Sequence, residues 1–328
     1  MLTYCVVDTE TATLPLCESL ATNPDEKKVL AIAKPLIYDF GYVITNRKGD
    51  ILDKKQFLVA EIFSVPSIFN TAYYAAKRPI YLEMLKRGET SIKSWDEIME
   101  IFLADIRNVN AVGAFNSMFD FKKAIPFTEL YIRKLYSPDY QAWENLQRQL
   151  CINLLNNNKP PRNPNFDPSN FKFRGEEFPL FDIWGLATTY LLNKQTYKTA
   201  CLNNDLLTNS GIYFKTSAES SYQYLCKNYN FAESHTALDD AIIETFILSK
   251  IAAHHAVATG IKYFPFRDLG ETVDFVMRLK KPKLTDCQKV YDSICKYIDA
   301  QTEMTNYTIG LIKKVQKLAA YAGFTCPY

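Results

Sequence analysis

The sequence predicts an α/β fold in which a mixed sheet of five strands is flanked by helices on both faces. Three observations point to it. Short apolar, β-prone runs alternate with stretches of helical period, as in a sheet whose strands are linked by crossover helices. The second and third runs are separated only by the turn formers Asn46-Arg47-Lys48-Gly49-Asp50, which implies one antiparallel hairpin. The chain, at 328 residues, exceeds the usual size of one compact domain, so a core with a smaller appended part is expected.

The elements follow in order. Residues 3–9 read as the first strand, and 37–45 and 51–59 as the hairpin. From 67 to 107 the period turns helical and two helices are expected, with Ser94-Trp95-Asp96-Glu97 in the form of a capping box ahead of Ile98, Ile101, Phe102 and Ile106. Residues 110–115 read as a fourth strand running into a helix from about 119. The segment 137–179 has a different character. Its run over 156–165 is crowded with Asn and Pro, excluding a regular helix or central strand, so a long surface insert is expected. Residues 178–182 complete the strands, and helices follow over 183–192, 217–228 and 236–258, with Asp182 capping the first. The core is thus assigned to 1–260, and a helical C-terminal extension of about three segments, marked off by Pro265 and Pro282, to 261–328.

Bulk properties narrow the class. With 48% hydrophobic and 23% charged residues, and no run of about 18 apolar residues, the chain reads as a soluble protein without a membrane span. Its first residues carry no basic segment followed by a long apolar run, so a cytoplasmic location is expected. Eight cysteines without a Cys-x-x-Cys pair read as free, mostly buried thiols. A net charge of +2 is far from a strongly basic footprint. Residues 261–328 carry eleven Lys or Arg against seven Asp or Glu, a balance that suits phosphate contact and equally a solvated helix face.

Three short motifs carry chemistry. Asp8 and Glu10 lie two apart on the first strand, so both carboxylates share a face, and Val6 and Val7 mark that strand as buried. Asp120 follows the fourth strand in the turn entering a helix, where capping worth about 1 kcal/mol is by itself a sufficient role. His235, one of three histidines, heads the late helix, and Asp240 follows a little over a turn later. Asp239 and Asp240 also suit the positive end of a helix. Each piece has an ordinary explanation; the combination Asp-x-Glu, Asn-x-x-Phe-Asp and His-x4-Asp, in this order, is far more specific.

That combination resembles the DEDDh, or DnaQ-like, exonucleases, which include polymerase proofreading subunits, ribonuclease T and oligoribonuclease. Val6-Val-Asp-Thr-Glu-Thr11, Asn116-Ser-Met-Phe-Asp120 and His235-Thr-Ala-Leu-Asp-Asp240 match the three motifs of that family, and the resemblance covers about residues 1–255 apart from the insert. It implies an RNase H-like sheet. It also implies that Asp8, Glu10 and Asp240 hold one divalent ion, that Asp8 and Asp120 hold a second, and that His235 is the general base. The spacing of four residues after His235 selects Asp240 over Asp239. Thr9, Thr11, Leu14 and Asn116 fall in the motifs where substrate is met, Leu14 at the position that packs against the terminal base.

Physical chemistry agrees with such a site. Two carboxylates about 4 Å apart repel by about 4 kcal/mol at an effective dielectric near 20, so four converging acids require a cation or protons. Oxygen ligands select Mg²⁺ or Mn²⁺ over zinc. Two such ions can activate a water and steady both oxygens of an in-line displacement at phosphorus, and a histidine takes the proton near neutral pH. The expected substrate is the 3′ end of single-stranded DNA or RNA, and the expected product a nucleoside 5′-monophosphate, as in replication or repair. Alternatives are a nuclease for short oligonucleotides, its pocket closed by the insert, and a proofreading or interaction subunit docked on a replication protein. Lys122 and Lys123 suit either a phosphate or a solvated helix face. His254 and His255 read as helix-surface residues.

Overall fold

In the computed structural model the described residues are 2–156, 169–208, 213–253, 284–299, 304 and 306–327. They cluster into two compact units, one within Met1–Leu186 and Ala232–Lys262, the other within Ala187–Phe231 and Tyr263–Tyr328. The second therefore draws in 187–231 as well as the C-terminal segment, a wider grouping than the extension expected from 261.

The first unit is built on β1 (Thr3–Thr13), β2 (Pro35–Asn46), β3 (Ile51–Val59), β4 (Ser91–Lys93), β5 (Ala111–Ala114), β6 (Asn170–Phe173) and β7 (Glu176–Asp182). They form one mixed sheet in the order β4-β3-β2-β1-β5-β7-β6. The five expected strands occupy its centre, and the hairpin β2–β3 is antiparallel as its turn implied. Among the described residues the sheet has seven strands rather than five, because β4 and β6 extend the two edges; at three and four residues they are too short to imprint a period on the sequence. Cys5, Val6 and Val7 of β1 and Leu36, Ile37 and Tyr38 of β2 are buried, as in strands covered on both faces.

The helices of this unit are α1 (Leu16–Leu20), α2 (Pro24–Ala33), α3 (Ala60–Phe63), α4 (Pro66–Phe69), α5 (Arg78–Arg87), α6 (Trp95–Ile106), α7 (Ser117–Phe119), α8 (Ile125–Leu135) and α9 (Tyr140–Leu155). The chain then passes through α10 (Ile183–Leu192), α11 (Gln195–Asn203) and α12 (Ala218–Cys226) to α13 (Ala237–Ala252), which packs on β1 and β2. The Ser94–Glu97 capping box is present and starts α6. Phe102 of that helix meets Phe40 and Tyr42 edge to face, with ring centroids 5.1 and 5.3 Å apart.

The expected surface insert is largely integrated into the fold. Residues 140–155 form the sixteen-residue α9, which buries Trp143, Gln147 and Cys151 at four-residue intervals, and β6 pairs antiparallel with β7. Most of the Asn- and Pro-rich run lies outside the described residues, as do His254, His255 and the basic residues at 278–283.

The described residues of the second unit are mainly helical. In α14 (Leu284–Asp299) Cys287, Val290, Tyr291, Ile294 and Ile298 are buried, and in α15 (Asn306–Ala322) Leu311, Val315, Leu318 and Ala319. Spacings of three and four put each set on one stripe, along which the two helices pack on each other. The C-terminal turn is tied back by Tyr291, whose hydroxyl donates to the Thr325 carbonyl at 2.7 Å. These are two of the roughly three helical segments expected after residue 265.

Candidate metal centre

Pairing of β1 with β5 ends at Val6↔Gly113, whereas pairing with β2 runs on to Thr13. Asp8 and Glu10 thus stand where β1 has lost one neighbour, at the carboxyl end of the parallel strands, the customary place for a site in an α/β sheet. A register shift between Glu10 and Thr11 marks a bulge beside the pair, a local device that re-aims side chains.

The opened space is filled from two sides. After β5 the chain turns through Asn116, which adopts the left-handed conformation (φ 74°), and Asp120 begins a π-helical turn, Asp120–Ala124. Asp120 is not the N-cap that its position in the sequence suggested. It is buried, and its Oδ1 accepts a 2.6 Å hydrogen bond from the Thr9 hydroxyl. Asp182 holds the same turn, accepting from the Ser117 N–H (2.8 Å) while capping α10 through the Gly185 N–H (2.8 Å).

From the other side comes α13. Its start is seated on β2 at Gly41, the residue paired with Asp8: a Cβ there would lie 2.4 Å from the backbone of Ala237 and Leu238. Next to it the fully buried Asp39 accepts the Ala237 N–H at 3.0 Å, so an aspartate of the sheet caps a helix distant in sequence. Asp239 points away from the cluster and accepts from the hydroxyls of Ser234 and Thr236, each at 2.9 Å, which fixes the turn before the helix. Asp240 and Glu244, one turn apart, project from the buried side of α13.

The carboxylates converge, and their charge states record it. Burial pushes Asp8 well above the usual carboxylate range, reinforced by Glu244, Asp120, Asp240 and Glu10. Burial, then Asp39 and Asp240, raise Glu10 to about 9, with Lys77 opposing. Asp120 rises to about 7 through burial, against the Thr9 hydrogen bond, and Asp240 to about 7 through burial and Asp239, against Lys77. Burial and Asp120 likewise lift Glu244. Such a cluster holds either protons or a cation.

Ligand atoms of Glu10, His235 and Asp240 lie within 4.8 Å of one another. The buried Oδ1 of Asp240 makes no hydrogen bond among the described residues, leaving a lone pair for an ion. Two carboxylates and one imidazole can hold a divalent cation, so these three residues form a possible metal-binding triad. His235 is closer to the ligand set than a base outside it was expected to be. It sits two residues before α13 at φ 52°, its Nδ1 3.8 Å from both Glu233 Oε2 and Asp240 Oδ2. Its ring stacks on Tyr74, centroids 4.4 Å apart and planes at 15°. Lys77 lies over the Tyr74 ring (4.5 Å) and donates to the Ser234 carbonyl.

The other expected contacts divide. Thr9 is used by Asp120, and Thr11 lines a cavity of about 230 Å³ with Thr13, Tyr73 and Phe119. Leu14, expected against a terminal base, is 1% exposed and belongs to the hydrophobic core. Lys122 donates to the Asn170 carbonyl on β6, so this lysine anchors an edge strand. Sequence reasoning missed Glu244, Asp39, Tyr74 and Lys77. Two signals were there: Glu244 follows Asp240 by four residues on one helix, and Asp39 interrupts an apolar strand. Nothing local in the sequence marks Tyr74 or Lys77.

No protein-family model, no curated protein and no solved structure gives a significant match to this chain.

Proposed function

We propose that this chain is a metal-dependent 3′→5′ exonuclease of the DEDDh kind with an RNase H-like core, acting on single-stranded DNA or RNA. One observation carries the reading: Asp8, Glu10, Asp120 and Asp240, drawn from a strand, a turn after β5 and α13, are all raised by burial, and Asp120, Asp240 and Glu10 add to the rise at Asp8, as Asp240 does at Glu10. The five central strands with their antiparallel hairpin are in keeping with it.

In this reading Asp8, Glu10 and Asp240 hold one Mg²⁺ or Mn²⁺, and Asp8 with Asp120 a second. Bound there, the ions would ease deprotonation of water and offset charge on the phosphate oxygens. The Thr9 hydroxyl holds Oδ1 of Asp120 and so fixes how that carboxylate turns. Asp39 and Gly41 set the position of α13, and with it Asp240. His235 takes the proton of the attacking water; the resulting imidazolium is stabilised at Nδ1 by Glu233 and Asp240. Tyr74 holds the ring flat.

The proximity of His235 to Glu10 and Asp240 also favours a second reading, in which its nitrogen is itself a ligand. Metal affinity of His235→Ala separates the two, being unchanged for a base and weakened for a ligand.

The test uses labelled linear single strands, duplexes and RNA side by side with Mg²⁺ and Mn²⁺. Stepwise shortening from the 3′ end, with release of nucleoside 5′-monophosphates and loss of activity in Asp120→Asn, supports the proposal. Cleavage of circular single strands at a comparable rate, or an active Asp120→Asn protein, refutes it.

A further inference from the structure

A second chemical centre stands on α1 and α9. Cys17 Sγ and Cys151 Sγ are 3.6 Å apart although 134 residues separate them in the chain. Both are buried, at 2% and 0% exposure. Two thiols at this separation are in van der Waals contact, about 1.5 Å longer than a disulfide bond, and the two helices that carry them pack directly on each other.

The surroundings are not those of two inert core thiols. Lys34 donates to Gln147 Oε1 at 2.6 Å, one helical turn before Cys151, and its charge acts on both sulfurs. Contact with Cys17, then Lys34 and Arg148, hold the Cys151 thiol below its usual range against the effect of burial, whereas the same contact and burial push Cys17 up. Either sulfur can donate to the other, so a thiolate formed on one is held by the thiol of its neighbour with the Lys34 charge close by, as in a reactive dithiol. There is also an approach: Cys17 lines the cavity shared by Thr11, Lys27, Lys28 and Phe119, large enough for an oxidant of a few heavy atoms.

We propose that Cys17 and Cys151 are an oxidation site, converted by a peroxide into an intrachain disulfide between α1 and α9. Hydrogen peroxide oxidises one thiol to the sulfenic acid, releasing one water; the second thiol attacks that sulfur, forms the S–S bond and releases another water. Two thiols and one peroxide give one disulfide and two waters. A thiol reductant reverses the change. The bond joins the segment that directly follows β1 to a helix far along the chain, and it closes a loop long enough to stabilise the fold markedly. The inference is independent of the nuclease reading.

The experiment treats the full, natively folded chain with stoichiometric hydrogen peroxide, alkylates the remaining thiols and maps the products by mass spectrometry. The expected result is loss of two alkylation sites, a mass lower by two hydrogens, and a linked pair of peptides carrying Cys17 and Cys151. Cys5 and Cys201, also buried, should still be alkylated after unfolding. The melting temperature should rise on oxidation and return with reductant. In Cys17→Ser the remaining Cys151 should stop at the sulfenic acid, trapped by a dione reagent. Retention of both thiols at peroxide levels that oxidise the partly buried Cys226, Cys295 and Cys326, or linkage of either one to a different cysteine, would overturn the proposal using the wild-type protein alone.

Discussion

The imidazole of His235 lies flat against the phenol ring of Tyr74, centroids 4.4 Å apart. The two come from segments 161 positions apart in the chain (235 − 74), and Lys77, from the same stretch as Tyr74, grips the carbonyl of Ser234 just before the histidine. His235 has a left-handed backbone, and its N-terminal side lacks helical support. Its ring direction therefore depends on Tyr74. Tyr74→Ala should lower kcat by about fivefold, the size expected from losing one aromatic contact of about 1 kcal/mol, while Tyr74→Phe stays near wild type. Equal activity of the Ala and Phe variants, measured with a labelled single strand, would mean that the stack positions nothing.

His235 itself should matter more. If it accepts the proton, His235→Ala lowers kcat by roughly 10²–10⁴ and removes the rise of rate with pH near neutrality. Substrate and metal affinity should change little. A variant within a few-fold of wild type, with the same acidic limb, removes His235 from the mechanism.

Gly41→Ala tests the seating of α13. The new methyl group would meet the backbone of Ala237 and Leu238 at 2.4 Å, atoms that cannot rotate away. The helix must shift, with a stability cost of about 1–3 kcal/mol. Because Asp240 rides on that helix, metal affinity should fall together with the melting temperature. Weakened stability with intact metal binding would show that the site does not depend on this contact.

The carboxylate cluster also fixes a pH dependence. Asp120 and Asp240 are raised to about 7 and Glu10 to about 9, from ordinary values near 4 in the unfolded chain. The folded state therefore holds these protons more tightly than the unfolded one. Their contribution to stability is complete below about pH 4 and is lost as pH rises through 7 to 9. The metal-free protein should melt at progressively lower temperature across that upper range. Added Mg²⁺ replaces the protons, so the stabilisation it brings should grow with pH. Thermal melts with chelator and with Mg²⁺ check both slopes; a chelated protein whose melting temperature rises from pH 6 to 9 contradicts the cluster's charge state.

Much of this architecture was legible in the sequence because it rests on local signals. The hairpin followed from Asn46–Asp50, α6 from its capping box, and the cap by Asp182 from its place before an apolar helix. Asp8 and Glu10 stood out because residues two apart on a strand share a face, and Asp240 because its distance from His235 matches the motif that the sequence resembles. What escaped depends on contacts between distant segments. Leu14 reads like any apolar residue near a site, yet the packing around β1 takes it into the core. The role of α9 was hidden by the Pro-rich run that follows it, and β6 exists only because β7 offers an edge. Asp39 capping Ala237 spans 198 residues and leaves no trace in either local sequence.

The central claim is that these carboxylates form one divalent-cation site, and calorimetric titration of the chelator-treated protein with Mn²⁺ tests it most directly. Wild type should bind the ion with release of protons near neutral pH, because the raised groups must deprotonate. Asp8→Asn, which removes the carboxylate shared by both proposed ions, should keep the fold by circular dichroism and lose that binding. Indistinguishable Mn²⁺ binding by the two proteins, or none by wild type, would contradict the account.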